Sequence, residues 1–311
     1  MANTFLTPDI IARAALATLY ETTVMSNLVY RDYEAEFQSV GDTITIRKPA
    51  TFTAQEYNRA DGITVQNATE TGVPLTLNHF ADVSFAVTSE DLTLNILDFS
   101  EQLLNPAMEA ITQKVDRDLI AQSVADVTQE VGVIGGTNPP LPGANEYAWD
   151  NPRVLIDAGR VLTQRNVPTT NRRAVIGPIT QAQWLGDDLF NRADARGDTE
   201  GLREANLGRR VFGFDPYVTQ NATPPGSGTG TPSTEVGVAF HNTAIALAFR
   251  PLALPRGAQN AAIANYKGFG LRVVYDYDID QKQDVVSIDC LYGIKVLDPN
   301  RAVLIKGADN A

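Results

Sequence analysis

Residues 73–87 read Val73-Pro74-Leu75-Thr76-Leu77-Asn78-His79-Phe80-Ala81-Asp82-Val83-Ser84-Phe85-Ala86-Val87. The odd positions are apolar except for His79, and the even positions are mostly polar or small. Strict alternation is the mark of a half-buried β-strand. A strand over the whole run would span roughly 50 Å, against a usual length of about 5–6 residues. Upstream, Gly41-Asp42 leads into a second alternating run, with Ile44 and Ile46 on one side and Thr43, Thr45 and Arg47 on the other. Between the two runs lies a polar stretch holding Glu56, Tyr57, Asn58, Arg59, Asp61 and Gly62. The pattern predicts a long two-stranded arm over residues 39–90 with charges near its tip. An isolated two-stranded ribbon is marginal in water, so such an arm needs a surface to lie on.

Working outward, Asn105-Pro106 places a capping residue before a proline at the first helical position. Met108, Ile111, Val115, Leu119 and Gln122 follow at steps of three and four, while Glu109, Lys114, Asp116, Arg117 and Asp118 occupy the opposite face. The spacing predicts a helix of roughly 25 residues, about 37 Å long. Near the N-terminus, Thr7-Pro8-Asp9 repeats the start signal, and a helix is expected to about Asn27. Asn151-Pro152 opens another helix, carrying Leu155, Ala158, Val161 and Leu162. A short buried strand is expected at Ala174–Pro178, then a helix over 180–189 with Trp184 and Leu185 inward, a charged loop over 186–206, and a strand over 211–218. The run 224–233, Pro-Pro-Gly-Ser-Gly-Thr-Gly-Thr-Pro-Ser, reads as a flexible linker. Residues 236–249 hold one or two short strands. Leu271 to Ile279 and Val286 to Ile294 alternate around the turn 280–284, a C-terminal hairpin continued by a tail strand over 296–305.

The chain has 311 residues and a formal charge of −12, with 43% apolar and 20% charged residues, which suits a globular protein of about two domains. That charge opposes coating of phosphates over the whole surface, because such binding needs many Lys and Arg. A single cysteine, Cys290, excludes an intrachain disulfide and a zinc site needing two thiolates. No run of 18 apolar residues could span a membrane. The first residues lack a basic and then apolar leader, so folding in a reducing cytosol is expected.

Catalytic signals are poor. Asp276, Asp278 and Asp280 have the spacing of a calcium loop, but Gln281 replaces its glycine and Ser287 its bidentate glutamate. On a strand they share a solvated face. His79 and His241 sit within apolar alternation and read as structural. No nucleophile elbow or phosphate loop occurs, and Gly268-Phe269-Gly270 precedes its strand rather than following one. No metal or cofactor is expected. What stands out is architecture: a lone N-terminal helix, a long arm, a long helix and a long hairpin, all suited to engaging neighbours.

Two later stretches carry a resemblance. Residues 207–221, Leu-Gly-Arg-Arg-Val-Phe-Gly-Phe-Asp-Pro-Tyr-Val-Thr-Gln-Asn, follow a Gly-x-x-x-x-Gly-φ-Pro-φ pattern, with Asp215 inserted before Pro216. Residues 240–248, Phe-His-Asn-Thr-Ala-Ile-Ala-Leu-Ala, follow a Phe-His-x-x-Ala-φ-Ala-φ-Ala pattern. With the arm at 39–90 and the helix within 96–127, the chain resembles the major capsid proteins of tailed bacteriophages, of the Hong Kong 97 type. The resemblance implies an α+β capsid fold: an N-arm (1–38), an extended loop (39–90), a peripheral domain with a long spine helix (91–144 and 267–311) and an axial domain (145–266). It implies self-assembly as pentamers and hexamers into an icosahedral shell enclosing double-stranded DNA.

By the same resemblance the arm crosses neighbouring subunits, and Arg47, Lys48, Glu56, Tyr57, Arg59 and Asp61 are the expected inter-subunit contacts. A scaffolding protein, a portal and a cement protein are implied as partners, with packaged DNA nearby and no membrane. The location is the virion capsid, assembled in the host bacterial cytoplasm. The Lys–Asn cross-link of some relatives aligns with no residue here and is not carried over. The alternatives are a secreted carbohydrate-binding β-protein, suggested by the β-rich second half and the acidic charge, and a hydrolase using the acidic loop 187–204. Neither explains the long helix, and Arg192, Arg196 and Arg203 make that loop a mixed-charge surface.

Overall fold

The computed structural model describes residues 24–33, 43–88 (except 49, 51, 58, 60, 61, 64 and 69), 105–134, 147–191 and 207–310 (except 209, 256–259 and 267–268). The expected N-terminal helix therefore lies mostly outside the described residues. Its last part is a short 3-10 turn, Met25–Asn27.

Among the described residues the strands form three sheets. β1 (Thr43–Lys48) and β2 (Thr71–Thr76) make an antiparallel pair. A second sheet runs β3 (His79–Thr88), β11 (Gln283–Val296), β10 (Phe269–Asp278), β9 (Asn260–Tyr266), with β8 (Ile245–Arg250) pairing the far half of β11. A third runs β4 (Glu130–Val131), β12 (Ala302–Ile305), β7 (Gly237–His241), β5 (Arg172–Ile176), β6 (Asp215–Val218). The helices are α1 (Asn105–Asp126), α2 (Val154–Gln164), α3 (Pro178–Leu185) and the short α4 (Asp188–Asn191).

The expected single strand over 73–87 is corrected: it is two strands in two sheets. β2 stays in the arm, the chain leaves the ladder at Leu77 and Asn78, and β3 pairs with β11 from His79↔Tyr292 to Thr88↔Gln283. Burial explains the division. Ala81 and Val87 are buried and Val83 and Phe85 pack on the main core, which a free arm could not offer them. Pairing with β11 carries that row onto α1.

Ile111, Val115 and Leu119 project from α1 at steps of four into Val286, Ile288, Cys290 and Tyr292 of β11. A second core gathers Leu155, Ala158 and Leu162 of α2, Trp184 of α3, Ala174 and Ile176 of β5, and Phe214. β7 is buried on both faces and serves both cores: Val238 and Phe240 face the first, Ala239 the second. The Phe-His motif is thus the crossover by which the chain leaves the third sheet at His241 and enters the second at Ile245. Full burial of such side chains stabilises the fold by about 1.5–3 kcal/mol each.

Several further expectations change. The tail does not continue β11: Pro299 opens a 3-10 turn, Pro299–Arg301, capped by Asp298, and β12 joins the other sheet. β9 is a strand the alternation rules did not reveal. Residues 211–214 form a tight turn closed by Val211 and Phe214, so only 215–218 is strand. The segment 224–233 is not a free linker. Asn310 Nδ2 donates to the Gly226 carbonyl at 2.7 Å, and the Ser233 hydroxyl donates to the Ala308 carbonyl. Lys306, nearly buried, binds both Glu130 and Asp309 at 2.8 Å and anchors the same tail. Asp116, expected on the solvent face of α1, is 3% exposed.

Candidate assembly interface

The arm is built at its root. Ile44 of β1 and Leu75 of β2 stand opposite each other, are buried, and pack with Leu77, Ala246 and Ala248. The hydroxyls of Thr43 and Thr76 lie 3.1 Å apart across the pair. At the crossing onto the main sheet, a Cβ on Gly293 would sit 2.3 Å from the Thr76 carbonyl oxygen, so only glycine lets the arm's root pass this close. Beyond Lys48 and Thr71 the ladder stops. Gln66 then holds the two sides together: its Oε1 accepts from the Thr53 N–H at 3.0 Å and its Nε2 donates to the Thr53 carbonyl at 2.5 Å. A side-chain amide stands in for a rung of backbone pairing.

Around and beyond that rung several large apolar side chains stand open to solvent among polar ones. Phe52 is 63% exposed, Tyr57 71%, Ile63 84% and Val65 85%. Four of the most exposed large apolar side chains among the described residues thus fall within residues 52–65, which makes this segment the candidate interaction surface. Of the sequence-predicted contacts, Arg47, Glu56, Tyr57 and Arg59 are exposed on the arm, and Asp61 lies outside the described residues. Lys48 is half-buried at the outer end of the β1–β2 ladder, 3.9 Å from Asp298 of the same chain, so it braces the arm against the body. Sequence reasoning passed over Phe52, Ile63 and Val65. Their apolar character between two strands was the available signal.

The candidates for chemistry resolve into structure. Asp278 Oδ1 accepts from the N–H groups of Asp280 and Gln281, and Asp276 Oδ1 from that of Tyr277, so these carboxylates serve their own turn. His241 Nδ1 lies 2.9 Å from Thr243 Oγ1. Burial lowers its pKa, with Arg301, Arg172 and Arg173 adding to the effect. His79 stacks on Tyr292 with ring centroids 5.3 Å apart, beside Asp118. Arg272 clamps the nearly buried Asp289 through two nitrogens, at 3.0 and 2.6 Å. Cys290 is buried in the main core. Among the described residues no three His, Cys, Asp or Glu come together as a metal site, and no helix is long and apolar enough to cross a membrane.

The sequence profile of the P22 coat protein (gene protein 5) matches residues 1–237. The chain belongs to that coat protein family. Solved structures agree on the fold. The coat protein superposes on a chain from Mycobacterium phage Che8 with a TM-score of 0.69 at 24% identity, covering 91% of this chain and 90% of that one. It superposes on the capsid structure of cyanophage P-SCSP1u with a TM-score of 0.66 at 13% identity, covering 93% and 89% of the two chains. The mature capsid of bacteriophage PhiM1 follows with a TM-score of 0.57 at 12% identity, covering 87% and 83%. No curated protein matches the coat protein in sequence.

The coat protein is thus a phage major capsid protein, a structural protein of the virion whose copies assemble into an icosahedral shell on the Hong Kong 97-type fold. The carbohydrate-binding alternative finds no support in these matches. In the acidic loop weighed for a hydrolase, Asp187 takes hydrogen bonds from Asn151 and Leu189.

Proposed function

We propose that the arm of each coat subunit lies on a neighbouring copy and that this contact drives closure of the shell. The observation that carries the reading is the exposure of Phe52, Tyr57, Ile63 and Val65 in the segment joining β1 to β2. Removing such side chains from water supplies about 1–3 kcal/mol each, and a shell repeats the gain at every subunit. Arg47, Glu56, Arg59 and Asp61 would set register by charge complementarity more than they add affinity.

In the same reading residues 1–38 are the N-arm and 39–90 the extended loop. The peripheral domain takes 91–144 and 267–311, and the axial domain takes 145–266. α1 packs on β3 and β11 in one core, α2 and α3 pack with β5 in the other, and β7 is shared between them. Copies meet as pentamers and hexamers in the host bacterial cytoplasm. A scaffolding protein, a portal and a cement protein complete the particle, and no step of catalysis is involved. With a charge of −12, the subunit presents packaged DNA with a wall that does not hold it.

The test is Ile63→Asp with Val65→Asp, followed by sedimentation and electron microscopy. Folded subunits that no longer form shells are expected. Shells formed in unchanged yield would overturn the role of the arm.

A further inference from the structure

Asp116 sits midway along α1, faces inward and is 3% exposed. Its carboxyl accepts hydrogen bonds from the backbone N–H groups of Val24 and Met25 and from the side chain of Asn221. Three parts of the chain meet there: the spine helix, the 3-10 turn that ends the N-terminal segment, and the loop after β6. One oxygen, Oδ1, is buried with no partner, and so is the hydroxyl of Ser26, the residue after Met25. The far side of the same turn is held by Arg173, which donates to the Leu28 carbonyl. Two residues on, Tyr30 N donates to Ile245 O at 2.9 Å and Tyr30 O accepts from Leu247 N at 3.0 Å.

We propose that Asp116 is a protonation-controlled latch that docks the N-terminal segment onto the spine helix, tight when the carboxyl is neutral and loosened when it ionises. The chemistry follows from the inventory of groups. An ionised carboxylate buried without a cation is costly, and two backbone amides and one side-chain donor offset only part of that cost. The neutral acid keeps an acceptor for the turn and removes the charge from Oδ1, which is buried without a partner.

Other charges are turned elsewhere. On α1, Lys114 binds Asp118 and Arg117 is exposed. On β7, His241 faces Arg172, Arg173 and Arg301. The turn presents only amides to the carboxyl, and the loop presents Asn221. Desolvation accordingly raises the Asp116 carboxyl from 3.8 to about 6. Undocked and hydrated, it would return to the ordinary carboxylate range. Docking therefore takes up a proton between those values, and strengthens as pH falls through about 6.

The experiment is hydrogen exchange on assembled shells of the full chain, read in a peptide covering residues 24–30 and corrected for the intrinsic pH dependence of exchange. Protection is expected to rise roughly tenfold between pH 7.5 and pH 5. In Asp116→Asn it should be independent of pH over that range. Should that variant fail to assemble, Asn221→Ala keeps the carboxyl but removes a hydrogen bond that favours its ionised form, and the transition should move to higher pH. Flat protection in the unmodified protein, pH-dependent protection surviving in Asp116→Asn, or an unmoved transition in Asn221→Ala would each overturn the latch.

Discussion

The Tyr292 hydroxyl of β11 donates to Asp118 Oδ2 of α1 at 2.5 Å. The same oxygen lies 2.9 Å from Lys114 Nζ and 3.6 Å from His79 Nδ1. A phenol, an ammonium, an imidazole and a carboxylate gathered in this way resemble a catalytic group. Here they bind the spine helix to the central strand. Tyr292 is fully buried, and burial together with Asp118 holds its hydroxyl protonated far above the usual phenol range.

Tyr292→Phe removes that hydrogen bond and leaves the packing. Bonds to charged groups contribute about 1.5–3 kcal/mol, so subunits dissociated from the shell should lose stability of that order in chemical denaturation. A change below about 0.5 kcal/mol would mean that Lys114 and His79 satisfy Asp118 unaided.

Gly177 and Glu235 give a second expectation. A Cβ at residue 177 would lie 2.1 Å from the Glu235 carboxyl group. That carboxylate is buried and caps α3, accepting from Thr180 N and Thr180 Oγ1 at 2.8 Å. Gly177→Ala must displace it, costing about 1–3 kcal/mol as overpacking does. Fluorescence of Trp184, which packs in the core beneath α3, should report an earlier unfolding midpoint. An unchanged midpoint would show that Glu235 can move away at no cost.

His241 sets a dependence on pH with a definite sign. Its folded pKa lies below the unfolded value of 6.5, so the unfolded chain binds the extra proton. Stability is then present above about 6.5 and falls as pH drops below it. Asp116 acts in the opposite sense, gaining as pH falls through about 6. In His241→Gln the loss on acidification should shrink and the gain from Asp116 should stand out. A pH profile identical to that of the unmodified protein would remove His241 from the account.

Reversal of charge at the arm tip separates assembly from folding. Arg59 is exposed. Arg59→Glu should leave the melting temperature of the free subunit within about 1 °C, since isolated surface changes stay within about 0.5 kcal/mol. The yield of shells in sedimentation should fall. Normal yield would place Arg59 outside the contact.

What could be read from the sequence followed the strength of its local signals. Helix α1 was legible because Asn105-Pro106 marks its start and Ile111, Val115 and Leu119 keep a step of four. The hairpin of β10 and β11 was legible because Leu271 to Tyr277 and Val286 to Ile294 alternate around a polar turn. The division between β2 and β3 left no trace: alternation keeps the same parity through Leu77 and Asn78, so nothing in its phase marks a change of sheet. β9 is Ala- and Asn-rich and carries no period. Asp116 has the residue type of a solvent face, and only the arrival of Val24, Met25 and Asn221 from distant parts of the chain buries it. Phe52, Tyr57, Ile63 and Val65 have no regular spacing, so no periodicity rule singles them out.

The short passage from β2 to β3 has a mechanical meaning. The ladder of the arm ends at Thr76 and that of the main sheet begins at His79. A pull on the arm therefore enters the body of the subunit through Leu77 and Asn78, and is shared along β3 from His79 to Thr88. The first rung to feel it joins His79 to Tyr292, the side chain that grips α1 through Asp118. In a shell whose arms are held by neighbours, internal pressure would reach the spine helix of each subunit in part as tension along this strand, and the wall would carry load as a woven fabric does, along its threads.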